Sequence, residues 1–253
     1  MKKVNIYGID GAIKEKIDLP EVFDTPYRPD IIKKAFVIHR SSKRQPYGSD
    51  PNAGAKHATA SVGKGRGMSR VPRLAQGRRA ALAPGTVGGR RAHPPKVEKN
   101  WWKKMNKKER LLSLQSALGA TTDKDLVSQR GHKFKVEITL PVIIEDNFEN
   151  LKKTKDVIEV FKKIGLYDDI IRAKDGKHIR AGKGKIRGRK YRGPKSLLLV
   201  TEKDNIKTST RNLPGIDVIK PSNININNLA PGGVAGRLTV FTKSSLTLLG
   251  GDS

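Results

Sequence analysis

Cysteine is absent from this 253-residue chain. Its absence excludes a disulfide framework, thiolate metal sites and a cysteine nucleophile. Long apolar runs are absent as well. The longest, such as Leu197–Val200, fall far short of the roughly 20 residues that cross a bilayer. Charged residues return directly after the opening MKKVNIYGIDG, so no signal peptide is expected and the protein is expected to be cytoplasmic. Anionic residues are scarce: 24 Asp+Glu stand against 52 Lys+Arg, for a net charge of +28. Such an imbalance predicts a polyanionic partner. Nucleic acid is the first candidate and an anionic membrane surface the second. No basic amphipathic helix with an apolar face accompanies the charge, which disfavours the membrane.

Signals of catalysis are equally thin. Gly63-Lys-Gly-Arg-Gly67 lacks the spacing of a dinucleotide loop, because its glycines alternate and no strand precedes them. Gly176…Gly182-Lys183 has one residue too many for a phosphate loop, and Gly184 stands where Ser or Thr is needed. Glu145-Asp146 and Asp168-Asp169 read as helix-start charges rather than catalytic dyads. The five histidines show no metal-ligand spacing, and no Ser-His-Asp set stands out. No cofactor and no metal are expected.

What the chain does have is concentrated in Ser41–Met105. Fifteen of these 65 residues are Lys or Arg, and only Asp50 and Glu98 are acidic. Glycine and proline are scattered through it, and apolar residues come singly without period. Such a segment cannot offset its own ordering entropy by burial. A long insert of this kind between ordinary elements is usually functional. It reads as an arm that becomes ordered against a polyanion. Arginine supplies a flat fork that matches phosphate and stacks on bases, and glycine permits close backbone approach. The plainer reading is a flexible basic linker. Against it stand the arm's internal position and its Pro, His and Trp residues. Trp101 and Trp102 fit nucleotide stacking or, equally, packing at the arm's root. His57 and His93 fit ordinary polar contacts.

The rest of the chain reads as an α/β domain, residues 1–40 with 106–253, around the 41–105 insert. Residues 3–18 predict a hairpin turning at Asp10-Gly11, and Pro29 opens a helix carrying Ile32, Ala35, Phe36 and His39. Asn106 with Glu109 predicts a capping box before a helix whose apolar face holds Leu111, Leu114 and Leu118. Asp123 predicts the cap of a short helix that Gly131 stops. Phe134–Leu140 alternates like a half-buried strand, with Pro141 against it, and Val142–Ile144 is the firmer strand. Thr154 predicts the cap of a helix with the stripe Val157, Ile158, Phe161 and Ile164, stopped by Gly165. A short helix at Asp168–Ala173 follows. Strands are expected at Leu197–Val200, Ile216–Ile219 and Leu238–Phe241, with a last helix at Ser244–Leu249. Alternation of strands and helices predicts an open, mostly parallel sheet flanked by helices, with a long extended internal loop.

A second basic stretch lies at residues 177–195, where nine of nineteen residues are Lys or Arg and none is acidic. These cations repel one another unless a phosphate partner is present, and Tyr191 adds a ring that suits base stacking.

Five stretches together resemble a known family: GKGRGMSRVPR (Gly63–Arg73), GGRRAHPPK (Gly88–Lys96), RAGKGKIRGRKYRGPKSLLLV (Arg180–Val200), RNLPGIDV (Arg211–Val218) and LAPGGVAGRLTVFT (Leu229–Thr242). The chain resembles the L-four family of large ribosomal subunit proteins, in its archaeal form, over essentially its full length. The resemblance implies a globular α/β domain with an internal loop that runs into large-subunit (23S-type) rRNA. It implies support for subunit assembly and no enzymatic activity. It also implies that the loop tip lines the nascent-peptide exit tunnel beside a protein of the L-twenty-two family and meets the nascent peptide. Carried over by position, Gly63–Arg73 is the implied exit-tunnel tip, made of Gly63, Arg66, Met68, Arg70, Val71 and Arg73 among others. Lys43, Arg44, Lys56, Lys64, Arg66, Arg70, Arg73, Arg78, Arg79, Arg90, Arg91 and Lys96 are implied rRNA contacts of the arm. Arg180, Lys183, Lys185, Arg187, Arg189, Lys190 and Arg192 are implied contacts of the domain.

Physically, two legs of about 32 residues reach roughly 100 Å when fully extended. Phosphate neutralisation supplies salt-sensitive affinity, and RNA shape supplies specificity. The rival reading is an RNA-acting enzyme that uses the basic arm as a substrate clamp. It needs a convergent acid–base set that the sequence does not display.

Overall fold

A computed structural model describes residues 2–250. Among the described residues, eighteen α-helices and β-strands follow in chain order, besides three short 3-10 turns: β1 (Lys3–Tyr7), β2 (Ile13–Asp18), α1 (Pro29–Ser42), β3 (Thr59–Ala60), β4 (Arg73–Leu74), α2 (Lys107–Gly119), α3 (Lys124–Gln129), β5 (Val142–Ile144), α4 (Thr154–Ile164), α5 (Tyr167–Asp175), β6 (His178–Ile179), β7 (Tyr191–Arg192), β8 (Leu198–Val200), α6 (Asn205–Thr210), β9 (Asp217–Ile219), α7 (Ile226–Leu229), β10 (Thr239–Thr242) and α8 (Lys243–Gly250). The chain divides into two units. One comprises the residues up to Arg40 together with those from Lys104 on, and the other is Ser41–Lys103.

The first unit is built on a six-stranded sheet in the order β2-β1-β5-β10-β8-β9. Only the β1–β2 hairpin is antiparallel, and the other four pairings are parallel. Parallel strands buried on both faces read as continuous apolar runs, and β5 and β8 do. Successive side chains alternate between the faces. Ile143, Leu198, Val200 and Phe241 pack with Ile32 and Ala35 of α1, Leu118 of α2 and Leu246 of α8. Val142, Ile144, Leu199 and Val240 pack on the opposite face with Val157 and Phe161 of α4, Ile170 of α5 and Ile206 of α6. The fold is α/β, a mostly parallel sheet covered by helices on both sides.

Several local expectations are corrected. Phe134–Leu140 is not a strand: a turn bond from Ile138 N to Lys135 O breaks the extension, and Val136 is exposed. Side chains serve the backbone there, with Thr139 Oγ1 accepting from Asn5 N and Tyr7 Oη accepting from Thr139 N. Asn106 is the N-cap of α2 but makes no side-chain cap bond. Glu109 turns to Lys34 Nζ at 2.6 Å instead of reaching back. Leu111 is exposed, and the buried face of α2 is made of Ser113, Ser116, Ala117 and Leu118. Small residues there allow close approach: the Ser116 hydroxyl donates to Pro26 O and accepts from Arg28 N. Thr154 is the first helical residue of α4, the cap position falls on Lys153, and no side chain caps it. Asp123 does cap α3, accepting from Asp125 N, and Gly165 ends α4 at φ 89°.

Candidate nucleic-acid interface

Ser41–Lys103 orders itself almost without a core, since only Ser41 and Ala81 in it are buried. Two legs run side by side and close at successive levels. At the root the Ser41 hydroxyl donates to Trp101 O. Further along, Ser49 N donates to Pro95 O at 3.1 Å. Gly54 then meets the backbone of Gly89 and Arg90 so closely that a Cβ on it would stand 2.5 Å from Gly89 C. Its φ of +76° is also one that side-chain-bearing residues avoid. Beyond that, Thr59 pairs with Leu74 and Ala60 with Arg73 as the β3–β4 hairpin.

The loop closing this hairpin, residues 61–72, holds Gly63, Lys64, Arg66, Met68, Arg70 and Val71. Gly63, Gly65 and Gly67 all take positive φ there with open space around them. Lys64, Arg66 and Arg70 are exposed, whereas Met68 and Val71 are half-buried. Arg73 sits in β4 and acts as a brace, donating to Arg78 O at 2.6 Å and Ser69 O at 3.4 Å.

The remaining arm cations divide by their surroundings. Lys56 is paired with Asp50 at 2.6 Å, an exposed pair that partly neutralises it. Arg44 stacks on Trp101 at 3.8 Å, with Lys99 at 4.5 Å from the same ring. Adjacent Trp and basic residues are the sequence signal for Lys99, which sequence reasoning passes over. Trp101 is half-buried and Trp102 exposed. Lys43, Arg78, Arg79, Arg90, Arg91 and Lys96 are exposed and have no acidic partner among the described residues. His57 and His93 are exposed as well.

Residues 177–195 form a second basic hairpin, β6–β7, with His178 opposite Arg192 and Ile179 opposite Tyr191. Arg180 braces it, donating to Arg189 O at 3.1 Å and Tyr191 O at 3.4 Å. Lys177 and Lys190 lie 4.7 and 5.6 Å from the Tyr191 ring. Lys183, Lys185, Arg187, Arg189 and Arg192 are exposed without acidic partners among the described residues. The hairpin presents a ring and a fan of cations that repel one another, an arrangement a phosphate backbone relieves.

Where α/β folds hold small ligands, at the carboxyl ends of parallel strands, this chain supplies its own anion. Glu149 is buried there, and accepts from Glu202 N, Lys203 N and the Thr242 hydroxyl at 2.9, 3.0 and 2.7 Å. Asp146 beside it accepts from Ser244 N at 2.8 Å, at the start of α8. Both serve backbone amides and hydroxyls of their own chain. The described residues contain no acid or histidine cluster suited to a metal.

A serine, a histidine and an aspartate do meet, which the sequence spacing hides. Asp169 accepts from His132 Nδ1 at 3.0 Å and from Ser196 Oγ at 2.9 Å. A nucleophilic triad requires the serine to bond the histidine, with the aspartate behind it. Here both bond the aspartate, and all three are buried. Burial pushes the Asp169 carboxyl up, but His132, Arg172 and Lys133 N outweigh it and hold the group at about 2. Burial lowers His132 below 6.5 more than Asp169 raises it, so its ring is neutral near pH 7. The group is a fixed structural knot. The i,i+3 pair Asp169–Arg172 on α5 is its one visible signal in the sequence.

Comparison with known proteins agrees with the basic, non-catalytic surface. A model of the ribosomal protein L4/L1 family matches residues 17–251. The chain is 54% identical over 248 residues to the large ribosomal subunit protein uL4 of Methanocaldococcus jannaschii, covering 98% of each. It is 48% identical over 251 residues to uL4 of Methanosphaera stadtmanae, covering 99% of this chain and 97% of the relative. Against uL4 of Archaeoglobus fulgidus the identity is 48% over 249 residues, with 98% of each covered.

Proposed function

The chain belongs to the ribosomal protein L4/L1 family, in its archaeal type, and from that footing we propose how its two basic hairpins serve the large ribosomal subunit. The protein is a structural, non-enzymatic component of that subunit. On the present reading it binds large-subunit rRNA through both hairpins and supports assembly. The tip of the 41–105 segment lines the nascent-peptide exit tunnel beside a protein of the L-twenty-two family. Gly63, Arg66, Met68, Arg70, Val71 and Arg73 form that tip, with Arg73 bracing the loop that presents the others.

One observation carries the RNA reading. Two separate hairpins hold most of their arginines and lysines exposed and without a carboxylate partner among the described residues, Lys56 with Asp50 and Lys195 with Asp217 being exceptions, on backbones closed by their own hydrogen bonds. A mere linker has no reason to be closed in register. A closed, charged hairpin loses less entropy when RNA orders it. Lys43, Lys64, Arg66, Arg70, Arg78, Arg79, Arg90, Arg91 and Lys96 are assigned to phosphate on the arm. Lys183, Lys185, Arg187, Arg189, Lys190 and Arg192 are assigned to phosphate on the domain. Arg44, Lys56, Arg73 and Arg180 hold geometry first and meet RNA second.

Deleting Ala55–Pro84 tests the assignment. The expected outcome is a globular unit that still melts cooperatively and has lost specific binding to large-subunit rRNA. Unchanged affinity for that RNA contradicts the arm's role.

A further inference from the structure

The 177–195 hairpin has no buried residue of its own, and its strands are two residues each. So small a hairpin does not fix its own attitude. Its attachment does. The hairpin leaves at the end of α5 and returns through Gly193-Pro194 into β8. Asp169, fully buried on α5, accepts from Arg172 Nε at 2.8 Å, Ser196 Oγ at 2.9 Å, His132 Nδ1 at 3.0 Å and Lys133 N at 3.1 Å. Arg172 then spans to the return leg, donating through Nη2 to Lys195 O at 2.8 Å. That leg is held elsewhere too. Lys195 Nζ reaches Asp217 at 2.8 Å, and the buried Arg237 donates to Ser196 O at 2.9 Å and Leu197 O at 3.1 Å. Pro194 lies against Gly176, where an added Cβ would come within 2.6 Å of the ring.

Buried charge is a poor source of stability, because desolvation cancels much of the attraction. What it supplies is direction: carboxylate lone pairs and guanidinium N–H groups bond along fixed directions. In this chain those directions converge on the three residues through which the basic hairpin re-enters the sheet. We propose that Asp169 and Arg172 are positioning residues for the RNA contact of the 177–195 hairpin, holding its return leg so that its cations meet phosphates in one attitude. The proposal rests on the reading of that hairpin as an RNA contact. Arg172 is the link between the knot and the hairpin, since Nε serves Asp169 while Nη2 serves the return leg. A lysine keeps the charge at that position but has a single nitrogen and cannot serve both.

The absence of cysteine makes a direct test simple. Ile186→Cys in the hairpin turn and Glu159→Cys on α4, both exposed, accept nitroxide labels in the full-length chain. The distance distribution between them is compared in the otherwise native protein, Arg172→Lys and Asp169→Asn. Ser196→Ala, which removes one bond from the knot, is the fallback where Asp169→Asn does not fold. Affinity for transcribed large-subunit rRNA is measured alongside. The expected result is a narrow distribution that broadens in the variants while thermal unfolding stays cooperative. A roughly three- to tenfold loss of RNA affinity accompanies it, as hairpin ordering is charged to binding. A distribution that stays narrow overturns the proposal. So does broadening without loss of affinity, provided that the quadruple change of Lys183, Lys185, Arg187 and Arg189 to Gln weakens binding. If that quadruple variant binds as tightly as the native protein, the RNA reading of the hairpin falls, and the proposal with it.

Discussion

Two insertions of nearly the same chemistry, Ser41–Lys103 and residues 177–195, are held in opposite ways. Both are rich in Gly, Lys and Arg and poor in acid. The longer one has no buried ionisable side chain, and closes through backbone bonds, a two-rung hairpin and the tight approach of Gly54 to Gly89. The shorter one is tied at its base to buried charge, with the Ser196 hydroxyl of the return leg on Asp169 and its carbonyl on Arg237. The difference is one of scale. A long segment has enough of itself to pair with, so glycine and register suffice. A nineteen-residue segment has not, and borrows rigidity from the sheet beneath it.

The largest effect that tests this contrast is expected at the base of the short hairpin. Arg237→Met strips the hydrogen bonds from Ser196 O, Leu197 O, Gly215 O and Asn228 O and leaves Asp217 without its buried partner. Asp217 is 30% exposed and keeps Lys195, so the cost falls mainly on the carbonyls left unbonded, about 3–5 kcal/mol in all. A urea titration should show a loss of that size in the globular unit. A loss under about 1 kcal/mol would mean that the charge is not what holds this corner.

Acid separates the two insertions next. Asp169 is depressed in the folded state to about 2 from 3.8, so its stabilisation is complete above the unfolded value and is lost as pH falls through the folded one. His132 is depressed below 6.5, so the folded state favours its neutral ring, and its contribution is lost as pH falls below 6.5. Both groups act in the same direction. The urea midpoint of the globular unit should fall on acidification, with Asp169 alone accounting for on the order of 2 kcal/mol. Asp169→Asn should flatten the part of that fall below about pH 4. A midpoint that is level from neutrality to pH 3 would mean that neither group is held below its ordinary value in the folded state.

The smallest effect belongs to the arm. Gly54→Ala places a methyl group against the Gly89 backbone at a positive φ, a strain of roughly 1–3 kcal/mol confined to the leg pairing. Limited proteolysis should cut Ser41–Lys103 faster, while global unfolding stays where it was. Equal effects on both units would erase the distinction drawn between them.

Much of the fold is legible because its signals are local. The Asp10-Gly11 turn, Pro29 at a helix start, Gly165 at a helix end and the apolar runs of β5 and β8 each declare themselves within a few residues. The false strand at Phe134–Leu140 has the right alternation, but no neighbour is free to pair with it: β1 takes β5, and Thr139 and Tyr7 serve the backbone instead. Leu111 misleads because α2 buries serines and alanine, which hydropathy does not mark. At the candidate interface the sequence displays the cations but not their division of labour. Nothing local says that Arg73 and Arg180 brace loops while Arg70 and Arg187 stand free. The buried knot is invisible for the same reason, since His132, Asp169 and Ser196 meet only when α5 packs beside the start of β8.

The exposed cations of the arm tip are proposed to neutralise RNA phosphate. The direct measurement is the salt dependence of full-length binding to transcribed large-subunit rRNA, native against the triple change of Lys64, Arg66 and Arg70 to Gln. Each phosphate left without its cation lowers the slope of log affinity against log salt by about 0.7–0.9, so the triple variant should lose roughly 2 in slope. The same slope in both proteins would mean that these three cations do not meet phosphate.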